Sequence, residues 1–467
     1  MAVKTLEPNS MGVLNNGTNA LTESREAQLD AAESPISEDD TQGTEEKSAR
    51  VTTGPSTKQA LIPKAPNGGL RAWLQVLGGF VIYLNTWGLM ISFGVFQSYY
   101  ENHLLTNSSS SAISWIGTVQ AFFLIEIGVI TGPLYDQGYQ RYILATGALL
   151  LTLGVMMTSI ATEYYSVFLS LGVCSGIGMG CMFFPGITSI NTYFSTKRGL
   201  ASGIAALGSG VGAIVYPIVL RELLTRVSFP WAVRTVGFII LVTNIVPLLV
   251  MRPLWLPSGK RKLFDKNVFK DFAYTFWSLK NVISWIGIQI PIFYVTLYAT
   301  EIVGISQDNA FYMSAIIGAG SLPGRIITAV ASDKFGPMWV YAGTMCFAGI
   351  IALVWIRVTT YGGLIVVALL YGFAYGGIAS LPPSAIAALT PDLTTLGTRI
   401  GTSFAFAGLA MLVGPPIAGA IKNNSTDYKG AFGFSGAMTT VGGLILFLAA
   451  HLHQRQVRRT VHDGGKA

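Results

Sequence analysis

Residues 142–161 read YILATGALLLTLGVMMTSIA, twenty positions without a charged side chain. As an α-helix rising about 1.5 Å per residue, this stretch is about 30 Å long, the thickness of a bilayer's hydrocarbon core. Runs of the same kind recur from Trp73 onward. Working outward from this one, the expected spans are 73–98, 112–133, 142–161, 165–187, 199–220, 233–251, 278–300, 310–331, 338–357, 362–386, 399–421 and 431–450. Composition agrees, since 51% of the 467 residues are apolar and 11% charged, where a soluble protein carries about a quarter charged. The chain is therefore expected to be an all-α integral membrane protein with twelve transmembrane helices in two pseudo-symmetric six-helix bundles.

Residues 1–66 are rich in Ser, Thr, Glu and Gly, with ten acidic and six basic side chains. Such a segment cannot bury a core and is expected to be a disordered cytoplasmic tail. It has no early apolar run of the kind a signal peptide needs, which leaves the first span to direct insertion. The remaining expected units are an N-terminal bundle at 67–251, a central cytoplasmic loop at 252–277, a C-terminal bundle at 278–450 and a short tail at 451–467. Outside the first tail, seventeen Lys and Arg fall on the side of the termini, six on the opposite side, and Arg325 within a span. This bias places both termini in the cytoplasm. The largest basic cluster comprises Arg252, Lys260, Arg261, Lys262, Lys266, Lys270 and Lys280, and is read as part of the central loop. It suits an inner-leaflet contact and topology signal better than nucleic acid. Trp73, Trp277, Trp339 and Trp355 are expected to anchor span ends at the interface. Cys174, Cys181 and Cys346 lie in apolar spans as packing residues.

The central loop divides the spans six and six, and the halves carry matching punctuation. Span 2 ends in Gly132, Asp136 and Gly138, and span 8 in Asp333, Lys334 and Gly336. Span 4 carries Gly176, Gly178 and Gly180 before Pro185, and span 10 carries Gly372, Gly376 and Gly377 before Pro382. Span 5 opens on Arg198 and reaches Gly208 and Pro217, whereas span 11 opens on Arg399 and reaches Gly408 and Pro415. An internal repeat of this type marks a transporter whose halves rock about a site at the midplane. Each glycine taken singly is read as helix packing, and the Gly176 to Gly180 pattern has no strand before it to make a nucleotide site.

On these residues the chain resembles the major facilitator superfamily, and within it the fungal form of the monocarboxylate porter family, over roughly 67–450. The entry motif is Asn67-Gly68-Gly69-Leu70-Arg71-Ala72-Trp73, followed by Asn85-Thr86-Trp87-Gly88 and Ser92-Phe93-Gly94-Val95-Phe96. A second is Tyr193-Phe194, Lys197-Arg198, Ala201, Gly203 and Gly208. The resemblance implies inner-gate roles for Asp136 and Arg141 after span 2 and for Asp333 and Lys334 after span 8; simple turn and helix capping is the alternative for the two aspartates. Two positions depart from the animal members. Leu89-Met90-Ile91-Ser92 lacks the lysine of their first span, and Ser321 replaces an acid four residues before Arg325. Proton–lactate symport by the familiar residues is thus not expected.

An ionisable group at the bilayer centre costs at least about 2.5–3.5 kcal/mol unless it meets a partner or water. Arg325 and Glu126 stand at similar depths in equivalent helices. Arg325 is expected to grip an anionic or acceptor-rich substrate, the alternative being a structural pairing within its own half. Glu126 is the candidate for proton coupling, with a hydrogen-bonded neutral acid as the alternative. Asn85, Gln289, Tyr294, Tyr298 and Tyr375 are further candidates for lining the cavity. No ATP-binding loop, metal-ligand cluster or nucleophile–base pair is present in the sequence, so neither an enzyme nor a cofactor is expected. The expected function is secondary-active transport of a small organic acid or acceptor-rich metabolite by alternating access, used for export of a fungal secondary metabolite. Its expected partners are that substrate, protons and the lipid bilayer, with no nucleic acid, and the expected working unit is a monomer in the plasma membrane. Uptake of a monocarboxylate or riboflavin is the second reading, and a non-transporting nutrient sensor the third.

Overall fold

The computed structural model describes residues 66–194, 198–254, 271–390, 396–423 and 428–464, and among them every regular element is helical. Twelve helices are long and apolar enough to cross a bilayer. They are α1 (Leu70–Leu104), α2 (Ser110–Asp136), α3 (Gln140–Thr158), α4 (Tyr164–Tyr193), α5 (Gly199–Leu224) and α6 (Phe229–Val250), then α7 (Phe272–Glu301), α8 (Tyr312–Phe335), α9 (Pro337–Trp355), α10 (Tyr361–Ser380), α11 (Arg399–Lys422) and α12 (Lys429–Arg455). The expected tail at 1–66 and most of the expected central loop lie outside the described residues. With an even number of spans, the two ends share one face, here termed proximal. The opposite face is distal.

Local chemistry sets the helix ends. Ser109 accepts a hydrogen bond from the Ala112 amide at 3.1 Å to start α2, and Asp271 accepts from Ala273 at 3.0 Å to start α7. Such caps satisfy amides that have no partner inside the helix. Gly336, at φ 88°, turns the chain from α8 into the proline that opens α9. Leu149, Val242, Leu249 and Leu444 stand exposed on α3, α6 and α12, an apolar surface that only lipid would cover favourably.

Glycine brings the inner helices together. A Cβ on Gly372 or Gly376 of α10 would strike the backbone carbonyls of Ile317 or Ser321 on α8, and one on Gly320 or Gly324 would strike those of Leu369 or Phe373. In the other half, Gly172, Gly176 and Gly180 of α4 press in the same way on Ile116, Gln120 and Phe123 of α2. The repeat seen in sequence thus has one physical cause in both halves, two helices in backbone contact. Gly376→Leu is expected to abolish folded carrier, whereas Gly343→Ala, which meets nothing within 4 Å, should leave it intact; monodispersity in size-exclusion chromatography separates the two.

Three residues assigned by sequence to the membrane boundary lie inside the fold. Trp277 and Trp355 are fully buried, as is Lys280. For Trp277 and Lys280 the cause is the early start of α7 at Phe272, which puts helix packed in the bundle where loop was expected. Trp277 then donates to Ser403 on α11 at 2.8 Å, while Trp355 stacks on Phe432 at 5.3 Å. Trp73 does stand partly exposed near the proximal end of α1, and Trp339 is half-buried against Phe447.

Candidate functional site

The centre of the site is Arg325 on α8, 4% exposed, with no hydrogen-bond partner for Nε. No carboxylate pairs with it among the described residues. Tyr375 on α10 and Tyr83 on α1 stand within electrostatic reach of the guanidinium. Tyr83 belongs to the other half, and the charge therefore lies where the halves face each other. Gln289 lies beside Tyr375, and its amide nitrogen is 3.6 Å from the Met90 sulfur of α1.

Gln289 occupies a break in α7, which runs as Phe272–Ile288 and again as Ile290–Glu301. Pro291 has no N–H to give to Gly287, four residues earlier. The hydroxyls of Ser435 and Tyr371 take over, donating to the carbonyls of Gly287 at 2.8 Å and Ile288 at 2.6 Å. This repair by α12 and α10 lets the helix change course while its backbone stays satisfied.

Among the described residues, three buried polar atoms in this cluster have no hydrogen-bond partner: Arg325 Nε, the Tyr375 hydroxyl and Gln289 Oε1. An unsatisfied buried group costs about 1–3 kcal/mol, more when charged, so such a cluster suits a bound ligand rich in acceptors. Aromatic rings extend from it. Tyr83 and Trp87 both meet Phe183 edge-on, at 5.3 and 5.6 Å, and Phe183 leads through Phe184 to Phe404 of the other half.

Other sequence candidates stand elsewhere. Asn85 is fully committed within the first half, donating to Thr243 at 2.9 Å and Asn244 at 2.6 Å and accepting from Tyr216 at 2.6 Å. Tyr294 donates to the Pro415 carbonyl at 3.1 Å, and Tyr298 to those of Trp355 and Val358 at 3.1 and 2.8 Å. These three residues tie helices together and are not brought to Arg325. Nor is Glu126 in the cluster. It lies at the α2/α11 seam between the halves, where a Cβ on Gly408 would come within 2.7 Å of its Oε1. That oxygen is buried without a hydrogen-bond partner among the described residues.

The distal face is closed by polar links between the halves that sequence reading did not single out. Lys422 of α11 pairs with Glu101 of α1 at 3.1 Å and with Glu301 of α7 at 3.0 Å. Glu101 also accepts from Gln97 and Ser110, at 2.5 and 2.8 Å, and Glu301 from Tyr428 at 3.0 Å. Tyr312 of α8 donates to Glu222 of α5 at 3.0 Å, and Ser111 of α2 donates to the Pro416 carbonyl at 2.8 Å. Below them Phe93 of α1 packs on Phe293 of α7 at 4.9 Å. On the proximal face Asp136 ends α2, and Arg141, Asp333 and Lys334 are exposed with no ion pair joining those three among the described residues. Charged groups are thus engaged across the halves on the distal face.

Two bundles of membrane-spanning helices, with a buried polar cluster at their midline and one face shut, form the architecture of a solute carrier. The chain belongs to the Major Facilitator Superfamily, which it matches over residues 76–393 and again over 281–465. It is 41% identical over 407 residues to the MFS-type transporter dbaD of Emericella nidulans, covering 87% of this chain and 92% of that one. To the aspyridones efflux protein apdF of the same organism it is 39% identical over 383 residues, 82% of this chain and 78% of the relative. A mutant of the peptide transporter POT in complex with alafosfalin shares the fold at a TM-score of 0.66 and 14% identity, over 84% of this chain and 97% of that one. The chain is a multi-pass membrane transporter.

Proposed function

We propose that this carrier exports a small, acceptor-rich or anionic fungal metabolite by alternating access, holding it at Arg325, Tyr375 and Gln289 with Tyr83 and Met90 facing from the other half. The observation that carries this reading is the guanidinium buried at the midline without a counter-ion among the described residues. An unpaired buried charge is a standing cost, and a ligand carboxylate, enolate or phenolate would remove it. The aromatic row from Tyr83 to Phe404 favours a ligand with a flat, conjugated body. Kinship with an efflux protein for aspyridones supports the outward direction.

In this cycle the distal links of Glu101, Lys422 and Glu301 close one side while Asp136, Arg141, Asp333 and Lys334 close the other in its turn. Glu126, at the seam where α2 slides on α11, carries a proton whose retention depends on how that seam is packed. The excess of Lys and Arg on the proximal side supports termini in the cytoplasm, and we place the carrier in the plasma membrane as a monomer. The motifs at 67–73 and 193–208 support assignment to the monocarboxylate porter family without its lactate chemistry.

The test is a comparison of metabolites in cells and medium with and without the gene. Export predicts that at least one conjugated acid moves from medium to cells by several-fold on deletion, and that the intact gene restores it. An unchanged distribution, or loss of uptake from the medium, contradicts the reading.

A further inference from the structure

Lys280 is a charged group that neither the substrate cluster nor the gates employ. It lies about 12 Å along α7 from Phe272 at 1.5 Å per residue, and none of its surface is exposed. Its Nζ sits 4.1 Å from the centre of the Trp277 ring and 4.0 Å from that of Tyr341 on α9, with no hydrogen-bond partner among the described residues.

Among the described residues the surrounding helices bring it no counter-charge. On this side α12 presents Gly442, where a Cβ would stand 3.4 Å from the Lys280 carbonyl oxygen. From α11 come Ser403, which accepts from Trp277 and Asn281, and Arg399, already paired with Asp271 at 3.0 Å. The nearby titratable groups are Tyr341 and, on α7 itself, Tyr274, whose hydroxyl donates to the Arg399 carbonyl. Two ring faces stabilise a cation, but a dry, unpaired ammonium remains costly. A leucine or methionine would fill the volume without that cost. A lysine here is therefore suited to a group whose charge changes during the cycle.

We propose that Lys280 is a second proton-carrying group of the transport cycle, beside Glu126. When movement of α7 admits water, the amine lone pair takes a proton from hydronium, forming an N–H bond and leaving water. When the helix packs as seen here, the ammonium returns that proton to water. Gln289 of the substrate cluster and Glu301 of the distal closure lie on the same helix, so a charge at Lys280 that favours one packing of α7 biases both. The inference rests on the alternating-access reading but not on the substrate's identity.

The test needs no substrate. Spin labels at Val227→Cys and Tyr361→Cys, exposed in the distal turns of the two halves, report closure of that face in full-length carrier lacking its native cysteines. Acidification is expected to open it, changing the closed-to-open ratio about tenfold or more between about pH 9 and about pH 5, the effect of roughly one unit of pKa difference between the states. Lys280→Met and Lys280→Gln should each reduce that change to about twofold, the remainder belonging to Glu126. Trp277→Phe keeps the amine and weakens one ring face, so its midpoint should move by about half a pH unit. A folded Lys280 variant that keeps the full response overturns the proposal, as does a pH-independent ratio in the unsubstituted carrier. If neither lysine variant folds, an unmoved Trp277→Phe midpoint does so. None of these results bears on Arg325, which flux alone tests.

Discussion

Arg325→Ala is expected to reduce export by about thirtyfold or more at normal surface abundance, because a desolvated charge contact is worth about 2–5 kcal/mol and each 1.4 kcal/mol is a factor of ten. Surface abundance matters to the argument. A guanidinium that only held α8 against its neighbours would betray itself as poor folding, but this one holds no carboxylate partner among the described residues, and its Nε has no acceptor. Removing it also relieves the burial of an unpaired cation, so thermal stability should stay level or rise. Arg325→Lys should recover only part of the flux. The ammonium keeps the charge but loses the flat two-pronged donor that matches a carboxylate or enolate. Metabolite flux and melting temperature, measured on the same preparations, check both halves of this expectation.

The second large effect is expected at Lys422. Its side chain is 15% exposed and that of Glu101 10%, so their pairing is sheltered from water, whereas Glu301 at 41% exposure contributes less. Lys422→Ala leaves two carboxylates facing each other across the seam between α1 and α7. A sheltered charge left without its partner costs up to about 3–5 kcal/mol; partial exposure and salt reduce this to roughly 2 kcal/mol. The distal face should then open, the closed-to-open ratio falling about thirtyfold. Distance measurements between spin labels on that face read this directly, and transport should fall with it because the carrier stalls open. Glu101→Gln in the Lys422→Ala background should restore part of the closed population, since it removes one of the opposed charges. If the double substitution opened the face further, the closure would not be electrostatic.

Much of this architecture was legible in the sequence because the bilayer imposes it. An uncharged run such as 142–161 has few alternatives in a membrane, and each of the twelve helices overlaps its expected span, with ends that differ by about six residues at most. The matching glycines of α4 and α10 were legible for a similar reason, as backbone contact tolerates little else. Side-chain direction was not. Asn85 and Tyr298 have the polarity of cavity residues, yet their partners are distant in sequence, and nothing local announces Tyr216 or Val358 as those partners. Lys280 was read with the basic loop because hydropathy marks its span late, while the Asp271 cap starts the helix earlier. The distal charges did leave a signal. Glu101 and Glu301 end α1 and α7, and Arg221 and Lys422 lie near the ends of α5 and α11, equivalent helices of the two halves. Applying the repeat to span ends as well as to glycines would have drawn attention to them.

The central claim is that a buried, unpaired guanidinium at the midline binds the exported molecule. Its most direct measurement is flux in proteoliposomes of the purified carrier, using the metabolite that deletion of the gene retains in cells, with the unsubstituted protein and Arg325→Ala side by side. The account predicts saturable flux for the first and about one-thirtieth of it or less for the second, with equal protein content. Equal flux from both would contradict it.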